Sequence, residues 1–532
     1  MIPFGETATI ASRDWLRQAL FGAAIGGMTL ITIALCILGG GNLGAAVAPV
    51  AGVLLLFVLW KVPLRVSVLV LIFLGLTMEN PYEGFANGAF QSPVAPLGAL
   101  LLANINRTTG ISALNFTGLD LLVPFLLFIH FYRRVTHSNI DGKGQIETAR
   151  PMRLFALVSL VTNFALYAWG LLRGGDGAQA LWQVHQVLLL PVVFFLCEAA
   201  FRGPQDHATL GKVIVAAGLL RGMAAILLRR FLKPTTEWMV HYPYATTHAD
   251  SMLFAGAFAI LLALFVQRPT RKTLLQLALC SVVLMGAMVA NSRRIVWVEV
   301  IGVAIAYYLF ARRTPLMRRL TRLVAMSLPL ILVYVAAGWN SAAKVFGPVQ
   351  TIRSMVDPTG VKDTSTEWRD LENLNLIFTL DEHPLLGPGF GHQYKEAIPL
   401  PDISSSFQAY RYFPHNALLG LWAFTGLIGF SGMWMMLVVC VFLAARSYAR
   451  AALPAQRVAA LACVSCVIIY TNQVYGDMGL VSWTGVFLVA PAMAVAGKLA
   501  VETGAWPRTL RRRPHAAPAT AAAGMAVGIP EA

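Results

Sequence analysis

Apolar runs long enough to cross a bilayer recur along almost the whole chain, and that recurrence restricts the fold more than any single motif. A spanning helix needs about 20 mostly apolar residues. Such runs fall at 17–38, 43–60, 64–78, 117–132, 153–172, 180–200, 211–228, 248–266, 274–291, 295–311, 323–338, 415–445, 456–475 and 479–497. They are continuous, whereas the strands of an outer-membrane barrel alternate over about 10 residues. Only 12% of the 532 residues are charged, about half the share found in soluble domains, so a soluble fold of this size lacks the polar surface it needs. The expected fold is all-α: a polytopic integral membrane protein with about 14 transmembrane helices. The first run has no small-residue cleavage site and is read as a retained helix.

The chain carries 41 Lys and Arg against 25 Asp and Glu, a net charge of +16. In a soluble protein that excess points to nucleic acid. Here most of it falls in alternate loops, which is the pattern of cytoplasmic loops, so no nucleic-acid partner is expected. Arg13 and Arg17, Lys61 and Arg65, Arg133 to Arg153, Arg202 and Lys212, Arg268 to Lys272, Arg312 to Arg322, Arg446 to Arg457 and Lys498 to Arg513 mark that side. The bias places both termini in the cytoplasm. The cysteines, at 36, 197, 280, 440, 463 and 466, all sit in apolar runs. No disulfide framework is implied, and the Cys463–Cys466 pair reads as small packing residues. The sequence shows no soluble catalytic domain, no phosphate-binding glycine loop of the Walker type and no pair of metal ligands at helical spacing, so an ATP-driven transporter on this chain alone is not expected and no cofactor motif is read.

The expected organisation is an N-terminal block of eleven spans over 1–338, a large outer loop over 339–414, three further spans over 415–497 and a cytoplasmic tail over 498–532. The tail is low in complexity from about 514 and reads as disordered. Two smaller outer segments are expected at 79–116 and 229–247. Within the large loop, Glu367–Leu380 has apolar residues at helical spacing, and Pro384–Gly391 reads as a tight turn.

Charged residues inside spans are costly and mark function by default. Arg221 stands in the run VAAGLLRGMAAILL, with a structural ion pair as the alternative to a functional role. Arg293 and Arg294 follow Asn291-Ser292 at an outer turn, against the trend that keeps arginine inside. Guanidinium groups suit bidentate phosphate contacts, so an anionic ligand explains the exception, and a phospholipid headgroup explains it too. His415 opens an apolar run just after Pro414, at the junction with the acidic loop, and is read either as a general base or as a structural histidine. Asn416 beside it, Glu299 inside the tenth span and Asp477 in the last outer turn are accessory candidates. Glu299 is expected to pair with an arginine of a neighbouring helix. His241, Tyr242 and His248 suit sugar stacking or interfacial anchoring, while His185 and Glu198 read as packing or lipid-boundary residues.

Four features together resemble the O-antigen ligase / O-antigen polymerase (Wzy) superfamily. They are Ser292-Arg293-Arg294 at the outer start of a span, the large loop that follows, the segment Pro384-Leu385-Leu386-Gly387-Pro388-Gly389-Phe390-Gly391, and His415-Asn416-Ala417-Leu418-Leu419 with Gly420, Gly426 and Gly429. The detailed match spans roughly 275–445. The resemblance implies an inverting, metal-independent glycosyltransferase of the GT-C type in the bacterial inner membrane, with its active site facing the periplasm. Its donor would be a glycan on undecaprenyl diphosphate and its second substrate an acceptor glycan, within membrane lipid. A flippase and a chain-length regulator would be partners. Carried over residue by residue, Arg293 or Arg294 would hold the diphosphate, Arg221 would match a second diphosphate-binding arginine, and His415 would activate the acceptor hydroxyl.

The number of spans places the chain nearer the polymerases, which join repeat units of an exopolysaccharide or O-antigen. The ligase alternative transfers finished glycan to lipid A-core or to protein. A secondary transporter or lipid-glycan flippase predicts repeated halves and midplane charges. The chain shows no such repeat, and its distinctive charges gather near the outer face. A non-enzymatic scaffold leaves Arg221, Arg293, Arg294 and His415 unexplained.

Overall fold

The computed structural model describes residues 4–38, 40–41, 43–78, 98, 101–106, 116–138, 140–141, 144–231, 246–341, 343–346, 349, 353, 364–404, 409–477, 480 and 482–506. The tail from 514, most of the 79–116 segment, His241 and Tyr242 lie outside these residues. Each of the fourteen apolar runs is helical: α1 Phe4–Leu38, α2 Leu43–Lys61, α3 Leu64–Thr77, α4 Gly118–Val135, α5 Arg150–Leu172, α6 Gly177–Ala200, α7 Pro204–Phe231, α8 Asp250–Gln267, α9 Arg271–Asn291, α10 Ile295–Phe310 and α11 Pro315–Gly338, then α13 Ala417–Arg450, α14 Pro454–Gly476 and α15 Trp483–Glu502. A further helix, α12 Thr364–Glu382, lies in the large loop where the Glu367–Leu380 periodicity predicts one. No strand is present among the described residues, and the chain is a multi-pass helical membrane protein.

Ten of these helices are long and apolar enough to cross a membrane. The others are shorter or more polar: α3 and α10 have only 14 and 16 residues. Helix ends follow local chemistry. Thr117, Asp176, Thr270, Thr314 and Ser482 each accept an N–H of the first turn they cap, which satisfies a donor that has no partner within the helix.

Burial sorts the bundle. The most apolar window of α15 is 94% enclosed by protein, while those of α1 and α11 are not enclosed at all. Helix α15 is surrounded by α3, α5, α6, α8, α13 and α14, whereas α1 and α2 pack chiefly on each other. Lipid tails solvate apolar side chains as well as leucine does, so such peripheral helices carry no penalty in a membrane. Lys498, assigned above to the cytoplasmic tail, belongs to α15 and is buried, with Nζ donating to Ile146 O at 2.8 Å. The expected outer segment from 229 also starts later, because α7 continues to Phe231 and carries Arg229 and Arg230 in its last turn.

Helix α13 differs most from expectation. The 415–445 run reads as one span, but the backbone breaks at Gly426 with φ 62° and ψ −175°. Such a break frees peptide groups that hydrocarbon cannot satisfy. The large loop satisfies them: Leu427 N donates to Pro384 O at 2.8 Å, Ile428 N to Leu385 O at 3.0 Å, and Gly389 N to Phe424 O at 2.9 Å. The Pro384–Gly391 turn is therefore inserted into the break.

Candidate functional site

The conspicuous polar residues gather at one end of the bundle, where α5, α7, α9 and α14 finish and α6, α8, α10, α13 and α15 start. Helix α9 ends at Asn291, and Ser292 adopts a left-handed conformation (φ 54°) with Oγ donating to Val289 O at 3.2 Å. The buried Asn291 amide accepts both Thr246 N and Thr246 Oγ1 at 3.2 Å and donates to Thr247 O at 3.2 Å. The α9–α10 turn is thus pinned to the segment entering α8. Arg293 follows half-buried, and the exposed Arg294 is the N-cap of α10. A helix N-terminus carries positive potential of its own, so two arginines placed there make a site suited to an anion.

Arg221 is buried and faces Asp250, the first residue of α8, through Nε–Oδ1 at 3.3 Å and Nη2–Oδ2 at 2.5 Å. Arg221 lies ten residues before the end of α7, so that helix continues roughly 15 Å beyond this level. Two residues before Asp250, His248 pairs with Asp477, which caps the C-terminus of α14. These two pairs tie α7, α8 and α14 together.

His415 stands at this end too, two residues before α13. The preceding proline does not start the helix. Asn416 is the N-cap of α13, accepting from Leu419 N at 3.1 Å, and its Nδ2 donates to Asn373 Oδ1 at 3.1 Å. From α12, Glu372 Oε2 accepts the His415 backbone N–H at 2.9 Å and lies 3.4 Å from His415 Nδ1. The Trp368 ring meets the imidazole edge-on, with centroids 5.0 Å apart. Tyr394 adds a hydroxyl whose ionisation is pushed well up by burial and by the Glu372 carboxylate.

The glycine-rich turn explains itself sterically. Gly387, Gly389 and Gly391 all have positive φ, of 62°, 92° and 87°, and each lies against backbone: Phe424, Gly170 and Asp176 respectively. Trp169 Nε1 donates to Gly387 O at 3.2 Å. Gln183 of α6 accepts Gly391 N at 2.6 Å and donates to Tyr412 O at 2.7 Å, so one side chain ties the turn to the segment leading into His415. Between them is an apolar pocket lined by Val187, Phe390, Pro414, Leu421, Phe424 and Leu480. Leu480, which lines this pocket, is three residues after Asp477 in sequence.

Several expectations change. Glu299 forms no ion pair with an arginine: it is fully buried in α10, and neither carboxylate oxygen has a hydrogen-bond partner among the described residues. His185 is more than packing, since Nε2 lies 2.5 Å from Asp120 Oδ1 with Trp483 edge-on at 5.4 Å. Glu198 pairs with Arg153. Sequence reading missed Asp250, Trp368 and Glu372. The last two are four residues apart in a stretch already seen to be helical, a spacing that puts them on one face. Nothing in the sequence says which helix that face meets. All six cysteines are free, as expected.

Residues 279–434 match the family model Wzy_C, described as O-antigen ligase. The resemblance to the O-antigen ligase and polymerase superfamily therefore holds over the segment that carries it, from the middle of α9 to the first half of α13. That segment includes Arg293, Arg294, Glu372, the glycine turn and His415. It excludes Arg221, Asp250, His248 and Asp477. No curated protein matches the chain.

Proposed function

We propose that the protein is an inverting glycosyltransferase that takes a glycan from undecaprenyl diphosphate at the periplasmic face of the bacterial inner membrane and joins it to a second lipid-linked glycan. The observation that carries this reading is that one family-matched segment places a two-arginine helix start and a histidine helix start at the same end of a membrane bundle. His415 removes the proton of the acceptor hydroxyl. The freed oxygen attacks the anomeric carbon from the face opposite the diphosphate, and the bond from that carbon to the diphosphate oxygen breaks with its electrons going to the leaving group. Arg293 and Arg294 hold the charge that develops there, which fixed guanidiniums do without reorganising. The lipid diphosphate linkage supplies the driving force, so no nucleotide is needed, and the guanidiniums fill the charge-stabilising role at the leaving group. Arg221 sets the neighbouring wall through Asp250. A flippase delivers the donor, and a chain-length regulator limits the product.

A ligase is the second reading, favoured by the description of the matched family. It differs only in the acceptor, a lipid A-core sugar or a protein side chain. The test is a strain lacking the protein, complemented with wild type or His415→Ala, with lipid-linked and surface glycans resolved by size. Single repeat units accumulating on the carrier indicate the polymerase. Long lipid-linked chains that never reach an acceptor indicate the ligase. Unchanged glycans in every strain refute both.

A further inference from the structure

We infer that Glu372 is a positioning residue for His415, so that the loop helix α12 is part of the catalytic apparatus rather than a cover over the glycan. This rests on His415 being the base of the proposed transfer. Glu372 is fully enclosed, and an enclosed carboxylate is expensive unless charge or hydrogen bonds compensate it. Its Oε1 has no partner among the described residues, and Oε2 meets only the backbone N–H and Nδ1 of His415. A helix serving only to cover a sugar needs no buried carboxylate at its contact with α13.

The geometry assigns the proton. Glu372 Oε2 is 3.4 Å from Nδ1, which has no hydrogen-bond partner among the described residues, so the carboxylate is placed to accept a proton held on Nδ1 and leave the Nε2 lone pair for the acceptor hydroxyl. When Nε2 takes the hydroxyl proton the ring becomes a cation, and the carboxylate beside Nδ1 stabilises it. The proposal requires this 3.4 Å contact to tighten into a hydrogen bond as the ring charges. Trp368, one turn earlier on α12, bears on the imidazole and hinders rotation away from this alignment. The Asn373–Asn416 hydrogen bond fixes the register of α12 against the start of α13.

The experiment uses the full chain reconstituted in lipid, with lipid-diphosphate-linked glycan extracted from cells lacking the protein as substrate. Glu372→Gln keeps an oxygen for the backbone N–H but removes the charge. It should lower kcat at least about 10-fold, the lower end of what is lost when the partner of a metal-bound imidazole is removed, with KM for the lipid-linked glycan little changed. Because Glu372 acts through His415, the double variant Glu372→Gln/His415→Ala should be no slower than His415→Ala alone. Glu372→Asp keeps the charge one methylene further from the ring and should recover part of the lost rate. It also serves if the Gln variant does not accumulate, with a kcat between those of wild type and His415→Ala expected. Wild-type kcat in Glu372→Gln (or in Glu372→Asp where the Gln variant does not accumulate), or an equal further loss on top of His415→Ala, overturns the inference. His415→Ala retaining full activity would instead remove the base assignment itself, whereas an inactive His415→Ala with fully active Glu372→Gln removes only the role of Glu372.

Discussion

A single methyl group at position 387 tests whether the loop is inserted into the break in α13. In Gly387→Ala the new Cβ would stand 2.3 Å from Phe424 O and 2.5 Å from its carbonyl carbon, at φ +62°. Both obstacles are backbone, so no side chain can swing aside. The left-handed conformation costs an alanine about 1–2 kcal/mol, and overpacking adds about 1–3 kcal/mol, for a total near 2–5 kcal/mol. Gly174→Ala is the control: its φ is +85° but no atom lies within 4 Å, so it bears only the conformational cost of about 1–2 kcal/mol. The difference between the two isolates the packing. Thermal inactivation half-lives of the purified proteins at one fixed temperature measure it, since unfolding of such a protein is governed by rate. If the contact is lost before the unfolding barrier, Gly387→Ala should inactivate about 5- to 150-fold faster than the control. Equal half-lives would refute the close approach of the turn to α13 and the account of why glycine stands there.

Arg221→Ala leaves Asp250 buried without its guanidinium, a loss of about 3–5 kcal/mol that should appear as poor accumulation of folded protein. Arg221→Met with Asp250→Leu should restore accumulation, and glycan transfer by that double variant then reports whether Arg221 does more than hold α7 to α8. Arg293→Ala and Arg294→Ala should each preserve folding and reduce transfer at least about 10-fold, and wild-type rates in both would remove the diphosphate assignment. His415→Ala should reduce transfer about 10²- to 10⁴-fold with the protein still folded, as read from the size distribution of surface glycan. Asp120→Ala removes both the α4 capping box and the partner of His185 and should cost about 1–3 kcal/mol; unchanged thermal stability would show that this pair contributes nothing to the N-terminal halves of α4 and α6.

The spans were legible because an apolar run in a bilayer has one solution: the helix satisfies its own peptide groups. The loop helix was legible from its spacing. The Gly387, Gly389 and Gly391 positions were legible as a turn, but not as an insertion, because what demands glycine there is the backbone of Gly170, Asp176 and Phe424, far away in the chain. Gly426 was hidden for the opposite reason. A glycine inside an apolar run looks like a helix residue until another segment is found supplying its hydrogen bonds.

Composition and apolar periodicity alone determined that the chain is a helical multi-pass membrane protein, and motif order alone pointed to arginines and a histidine as the reactive groups. Those signals are local, since each depends on residues within a turn or two. Only the tertiary structure decided which polar groups face one another: Arg221 and Asp250, His248 and Asp477, His185 and Asp120, and Glu372 behind His415. Such pairs join residues from 29 to 229 positions apart. Pairing through space depends on helix packing, and side chains that face lipid and side chains that face protein are equally apolar in sequence.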